Sequence, residues 1–299
     1  MSDSEYPYTL LGEAERLEED GRLYEALSLL ERVLTLGDED ELLAAALTLK
    51  AHVLADLDRT SEALAVCDEL IERFDPLLTL YARYYRAHVA FDTSRPGEAL
   101  ADVDALLHHA GPDEPVIADA LLLKALILKG DDALALYDEV AERYAEDHST
   151  ASTALAWKAE LLGDLKRYDQ GLAVARNVIA RFDGATDPDV RLRVASAQAR
   201  TGYFLERKRR WPEALAAYNG LFESFRAEES ESMAALLGWA AEQRTALRVL
   251  VGIQRHAGPI RVGVAALLIF TVFRTGRRRD RERRRPMAVR LRPGPDPGR

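Results

Sequence analysis

Residues 58–75, DRTSEALAVCDELIERFD, decide the fold. Their apolar members Ala63, Leu64, Val66, Cys67, Leu70, Ile71 and Phe74 recur at spacings of three and four, which places them on one face of an α-helix. A polar turn, Asp58-Arg59-Thr60, precedes that face. The same arrangement returns in residues 167–183, RYDQGLAVARNVIARFD, and in residues 210–225, RWPEALAAYNGLFESF.

Working outward, a short signature marks six such segments. An acid or amide, a small residue and a leucine follow a turn at Glu25-Ala26-Leu27, Glu62-Ala63-Leu64, Glu98-Ala99-Leu100, Asp132-Ala133-Leu134, Gln170-Gly171-Leu172 and Glu213-Ala214-Leu215. The small residues lie 37, 36, 34, 38 and 43 positions apart. A period in the thirties is that of a stacked helical hairpin. Each signature follows another helix-like run, for example LLAAALTLKAHVLADL from Leu42 and STALAWKAELLGDL from Ser152. Small residues also stand at the middles of these first helices, at Ala14, Ala51, Ala87, Ala159 and Gly202. Matched small residues suit two helix axes in close approach. The turn Gly130-Asp131-Asp132 is about two residues shorter than its counterparts.

Composition agrees with an all-α class. Alanine, leucine and charge are plentiful and strand-favouring residues sparse. The single cysteine, Cys67, precludes an internal disulfide, sits on an apolar face and reads as a core residue in a reducing compartment. The acidic N-terminus lacks the apolar stretch of a signal peptide, so the expected localisation is cytoplasmic. Arginine outnumbers lysine 34 to 6, which suggests a GC-rich bacterial source. The net charge of −10 is divided. Residues 1–243 hold 25 basic and 47 acidic side chains, and the remainder holds 15 and three.

These hairpins resemble the tetratricopeptide repeat (TPR) family, in the bacterial form whose second helix reads like EALAVYDEVIARF. The resemblance covers residues 7–226 as six repeats. It implies a right-handed superhelical solenoid whose first helices line a concave groove that binds a protein or peptide. The family's period of 34 is stretched here, and its repeat-end proline is represented only by the displaced Pro76, Pro112 and Pro188. Residues 227–256 are expected to cap the array, and residues 257–299 to form a separate, poorly ordered tail.

On the first helices the expected partner contacts are His52 and Asp56, then Tyr81, Tyr84, His88 and Asp92, and further on Glu160 and Asp164. Acids with tyrosines suit a basic or partly apolar peptide. Tyr81 and Tyr84, read as adjacent exposed aromatics, are the strongest of these. The lysine and asparagine clamp with which some family members grip chaperone tails is missing, its places taken by Thr48, His52, Tyr84 and His88. His52 and His88 occupy equivalent places one repeat apart but do not make a metal-ligand set. No phosphate loop, paired-cysteine site, His-Glu-x-x-His or serine elbow occurs, so a non-catalytic chain without cofactor is expected.

The tail adds an uncharged run, VGVAALLIFTVF over residues 262–273, followed by an arginine cluster over 277–285. Twelve helical residues reach only ~18 Å, short of a bilayer core. A peripheral adaptor resting on anionic membrane through this tail is the alternative to a cytoplasmic scaffold. A regulatory module of a separate catalytic chain is a third reading. The arginine cluster lacks interleaved aromatics and implies no specific nucleic-acid partner.

Overall fold

A computed structural model describes residues 5–228 and 230–256. Its ordered elements are twelve helices, taken two by two in chain order, and one further helix. The pairs are α1 (Glu5–Glu19) with α2 (Leu23–Leu36), α3 (Asp40–Asp56) with α4 (Thr60–Arg73), and α5 (Leu80–Asp92) with α6 (Pro96–His109). They continue as α7 (Val116–Leu128) with α8 (Gly130–Arg143), α9 (His148–Asp164) with α10 (Tyr168–Arg181), and α11 (Pro188–Arg207) with α12 (Trp211–Phe225). Helix α13 (Glu231–His256) follows, and a 3₁₀ turn, Pro76–Thr79, introduces α5. No strand occurs among the described residues.

One turn geometry closes five of the six pairs. Three residues separate the helices, and the middle one has a left-handed backbone: Gly21 (φ 72°), Asp58 (58°), Ser94 (62°), Lys166 (60°) and Arg209 (59°). The N–H of that residue and of its successor bond back into the first helix, as in Gly21 to the Glu18 carbonyl (2.9 Å) and Arg22 to the Leu17 carbonyl (2.7 Å). This is the Schellman arrangement, and it satisfies carbonyls the helix end would otherwise leave bare. The successor is an arginine each time, Arg22, Arg59, Arg95, Arg167 and Arg210, and it is also the N-cap of the second helix. Four of these arginines bond the glutamate three residues on: Glu25, Glu62, Glu98 and Glu213. Where Gln170 replaces the acid, Arg167 pairs with Asp131 of α8 instead. Exposed pairs of this kind orient the turn more than they stabilise it. Between α7 and α8, where the chain passes from one compact unit to the other, a single residue, Lys129, separates the helices, and Lys129 and Gly130 both have positive φ. That is the two-residue shortening read from the sequence.

Two first helices, α9 and α11, start differently. Asp147 accepts from the N–H groups of Ser149 and Thr150, and Asp187 from those of Asp189 and Val190. Side-chain N-caps of this type satisfy otherwise free donors where the chain arrives by a longer loop.

The chain falls into two compact units, dividing between Leu128 and Lys129. In the first, each helix packs on the next, and α1, α3, α5 and α7 pack on one another in sequence. In the second, α8 to α13 pack likewise, with α9 on α11 and α11 on α13. The small residues of the signature are buried. Ala26, Ala63, Ala99, Ala133 and Ala214 expose no surface, and Gly171 is also buried. Ala14, Ala51, Ala87 and Ala159 are buried in the first helices, joined by Ala125 of α7, which the sequence reading did not include. At three glycines there is no room even for a methyl group. A Cβ on Gly171 or Gly163 would lie 2.8 or 2.9 Å from the ring of Phe204, and one on Gly202 would lie 2.7 Å from the ring of Tyr218. The widest repeat interval falls here because α11 runs for 20 residues.

Cys67 lies in the core formed by α3, α4 and α5, fully buried among Leu54, Leu70 and Ala82. Burial pushes its thiol up to about 12. It is therefore protonated at neutral pH and a packing residue.

Candidate functional site

Charge is distributed along the pairs by rule. In α3, α5, α7 and α9 the residue before the small position is a cation, and the fifth residue after the small position of the preceding second helix is an acid. The resulting bridges are Lys50–Glu31 (2.5 Å), Arg86–Asp68 (2.7 Å) and Lys124–Asp104 (2.7 Å) in the first unit and Lys158–Asp138 in the second. Arg86 also forks onto Asp102, at 2.7 and 2.6 Å, and Arg83 stands 3.8 Å from the same carboxylate. Asp102 is buried, so this bidentate pair lies at the edge of the core.

These bridges pair the cations of α3, α5, α7 and α9 that precede the small residues, and an acidic row lies beside them. In the first unit Glu18 of α1 is held above the usual carboxylate range, by burial first and then by Asp56 of α3 and its neighbour Glu19. Asp56 also faces Tyr85 of α5, whose hydroxyl is pushed up to about 12, mainly by burial. Tyr81 is half-buried, and its hydroxyl is raised by burial and by the nearby carboxylates of Glu114 and Asp119. Asp56 is thus flanked by acid on one side and phenol on the other. Like charges crowded in this way favour an incoming cation.

The expected contacts are distributed along this row as follows. His52 is half-buried, and burial lowers its pKa despite the neighbouring Asp56, which makes it a neutral imidazole at pH 7. His88 sets Nδ1 3.3 Å from Asp92. Asp56 and Asp92 are exposed. Tyr84 requires correction. It is only 3% exposed and cannot serve as an open contact. Three residues before Ala87, it points where α5 packs on α7, and the charge it senses is Asp119 of α7. Its neighbour Tyr85 is half-buried and joins the row instead. The sequence shows two adjacent tyrosines without showing which one the next first helix covers.

In the second unit Asp164 is exposed, and Glu160 bonds Arg200 of α11 at 2.6 Å. Arg193, one helical stripe away on α11, is desolvated with Asp189 and Glu160 in its field. Tyr203 lies on Phe204, ring centroids 5.6 Å apart. The second row is therefore mixed in charge, whereas the first is acidic. Among the described residues no cluster of His, Cys, Asp and Glu could hold a metal ion. No helix among them is long and apolar enough to cross a membrane. The apolar run 262–273, the arginine cluster 277–285 and the tail assigned to 257–299 lie outside the described residues.

No protein-family model matches the chain, and no curated protein matches it. Solved structures do. The Rap protein complexed with Competence and Sporulation Factor superposes with a TM-score of 0.52 at 15% identity, covering 87% of this chain and 74% of that one. The apo form of RapI gives 0.57 at 13% identity, covering 84% and 75%. NprR in complex with its cognate peptide NprX gives 0.52 at 12% identity, covering 89% and 83%. The fold is an all-α, TPR-like helical repeat of the solenoid type. At these identities the likeness defines the fold, and the site has to be argued from its own residues.

Proposed function

We propose that this chain is a non-catalytic protein-interaction scaffold that binds a basic, partly apolar peptide or protein segment. The contact surface is the first-helix row of the first unit, with Tyr81, His52, Asp56, His88 and Asp92 as contacts and Tyr85 and Glu18 beside them. Glu160 and Asp164 extend the same kind of contact on the second unit. The observation that carries this reading is the crowding of Glu18, Glu19 and Asp56, which burial and mutual repulsion leave short of positive charge. A lysine or arginine placed between α1 and α5 would relieve that repulsion, while Tyr81 and Tyr85 offer flat apolar area at low conformational cost. The peptide recorded in the NprR complex is consistent with peptide binding on this fold. A cytoplasmic setting belongs to the same proposal.

The test is binding of an array of Lys/Leu-rich and Glu/Leu-rich peptides to the full chain, followed by isothermal titration. Basic peptides are expected to bind. Asp56→Asn with Asp92→Asn should weaken them several-fold, as should Tyr81→Ala, with the salt dependence reduced in the charge variant. Preference for the acidic peptides, or undiminished affinity in the folded Asp56/Asp92 variant, would overturn the assignment.

A further inference from the structure

The charge rule of the repeats holds through α9 and lapses after it: Arg176 stands five residues after Gly171 and Thr201 precedes Gly202. Five residues after Ala214, where earlier second helices carry Glu31, Asp68, Asp104 and Asp138, stands Asn219. On α13 the residue before the buried Ala240 is Trp239, which meets Tyr218 edge-on with centroids 5.9 Å apart. An aromatic contact has thus replaced the ion pair. Beside it, Asn219, Phe222, Glu223 and Arg226 of the α12 end and Arg244 and Arg248 of α13 line a cleft of about 460 Å³.

This cleft is electrically open. Its three arginines form no ion pair among the described residues, and Glu223 is the single acid in its lining. A second cleft, lined by Glu31, Lys50, Arg59 and Glu62 among others, has each cation paired, Lys50 to Glu31 and Arg59 to Glu62. Arg244 is also held in place: its guanidinium carbon lies 4.0 Å from the centre of the Phe222 ring. Its Nε–H is buried without an acceptor among the described residues. A stacked guanidinium loses little further freedom on binding, and a buried unmet donor is a standing cost that an arriving oxygen removes. Arg244 and Arg248 lie one helical turn apart, so two planar forks stand side by side on α13 with Arg226 across from them.

We infer that this cleft is a second interaction site, opposite in polarity to the acidic row, which takes a carboxylate-bearing peptide segment. One carboxylate engages the Arg244 and Arg248 pair, the next engages Arg226, and Asn219 supplies a neutral amide. The volume accommodates about two residues' worth of side chains. Residues 1–243 carry 47 acids against 25 cations, a field that repels an extended polyanion such as nucleic acid. A short peptide with two or three carboxylates meets far less of that repulsion, and Glu223 in the lining adds to the discrimination.

The experiment is fluorescence anisotropy of fluorescein-labelled triglutamate amide titrated with the full chain. Binding should weaken about tenfold or more in Arg226→Gln/Arg248→Gln, both exposed positions whose loss leaves the core intact. Arg244→Lys, which keeps the charge but loses the fork and the stack, should weaken it several-fold. Because the chain's last residues are also arginine-rich, Arg277→Gln/Arg278→Gln/Arg279→Gln serves as the control and should stay within about twofold of wild type. No binding by the wild type, or binding lost with the control variant and kept in the cleft variant, would overturn the proposal. So would a hexanucleotide that binds more tightly than triglutamate and is the probe the cleft variants release.

Discussion

Gly202→Ala adds one methyl group where, of the described glycines, a Cβ would come nearest another side chain, and its cost follows from what that methyl meets. Three ring atoms of Tyr218 lie 2.7, 2.8 and 2.9 Å from the ideal Cβ position. Such separations are well inside van der Waals contact, so the ring has to move. Tyr218 exposes no surface, and Trp239 stands edge-on against it at 5.9 Å, which closes the direction of retreat. Overpacking a filled site costs ~1–3 kcal/mol, and a boxed ring belongs at the upper end. Replacing a mid-helix glycine by alanine returns ~1 kcal/mol of helix propensity. The net expectation is a loss of about 2 kcal/mol. Urea unfolding followed by far-UV circular dichroism and by tryptophan fluorescence measures it, two probes being needed because the chain has two compact units. The comparison variant is Gly220→Ala in α12, whose Cβ would meet nothing within 4 Å; it should gain ~1 kcal/mol through propensity alone. In the double variant with Tyr218→Leu, the added methyl should cost almost nothing. A Gly202→Ala protein as stable as wild type would refute the claim that close axis approach is why this position is small.

Three further outcomes follow from the same packing and charge. Ala63→Leu, at a crossing with no exposed surface, should cost ~1–3 kcal/mol in the same urea assay. Asp102→Ala removes the buried acceptor of the Arg86 fork and should cost about 2 kcal/mol, in the range for hydrogen bonds to charged groups, with little salt dependence because the carboxylate is buried. His52 has its pKa lowered by burial, so the unfolded chain takes up the proton first as pH falls through ~6.5. Stability from this group is therefore full above that pH and declines below it. His52→Gln should flatten that part of the stability-versus-pH curve, and an unchanged slope would contradict the burial.

The helix pairs were legible because each carries three independent signals at one register: a polar turn, a small residue, and an apolar stripe of helical period. Tyr84 was misread because periodicity assigns a residue to a face of its own helix, but whether that face is open depends on the neighbouring first helix. The inter-helix bridges were in the sequence as well. Lys50, Arg86, Lys124 and Lys158 each precede the small residue of a first helix, and Glu31, Asp68, Asp104 and Asp138 each follow the small residue of a second helix by five. Neither row of charges is notable until the two are superposed at the repeat period. Asp102 left a fainter signal. It stands three residues after Ala99, where the other second helices have Leu29, Val66, Leu136, Val174 and Ala217, so an acid occupies an apolar place. Only the structure supplies its partner, since Arg86 reaches it from a different helix.

The turn that closes five of the six pairs also bears on how the chain acquires its fold. Because a single left-handed residue reverses the chain, the two helices of a pair meet after almost no loop has been closed, and the entropy of closure is close to its minimum. Most native contacts then join residues near in sequence, the condition under which domains fold quickly. Each pair still has an unburied stripe until a neighbour covers it, so folding should spread from pair to pair within a unit, with amide protection graded from the interior pairs outward.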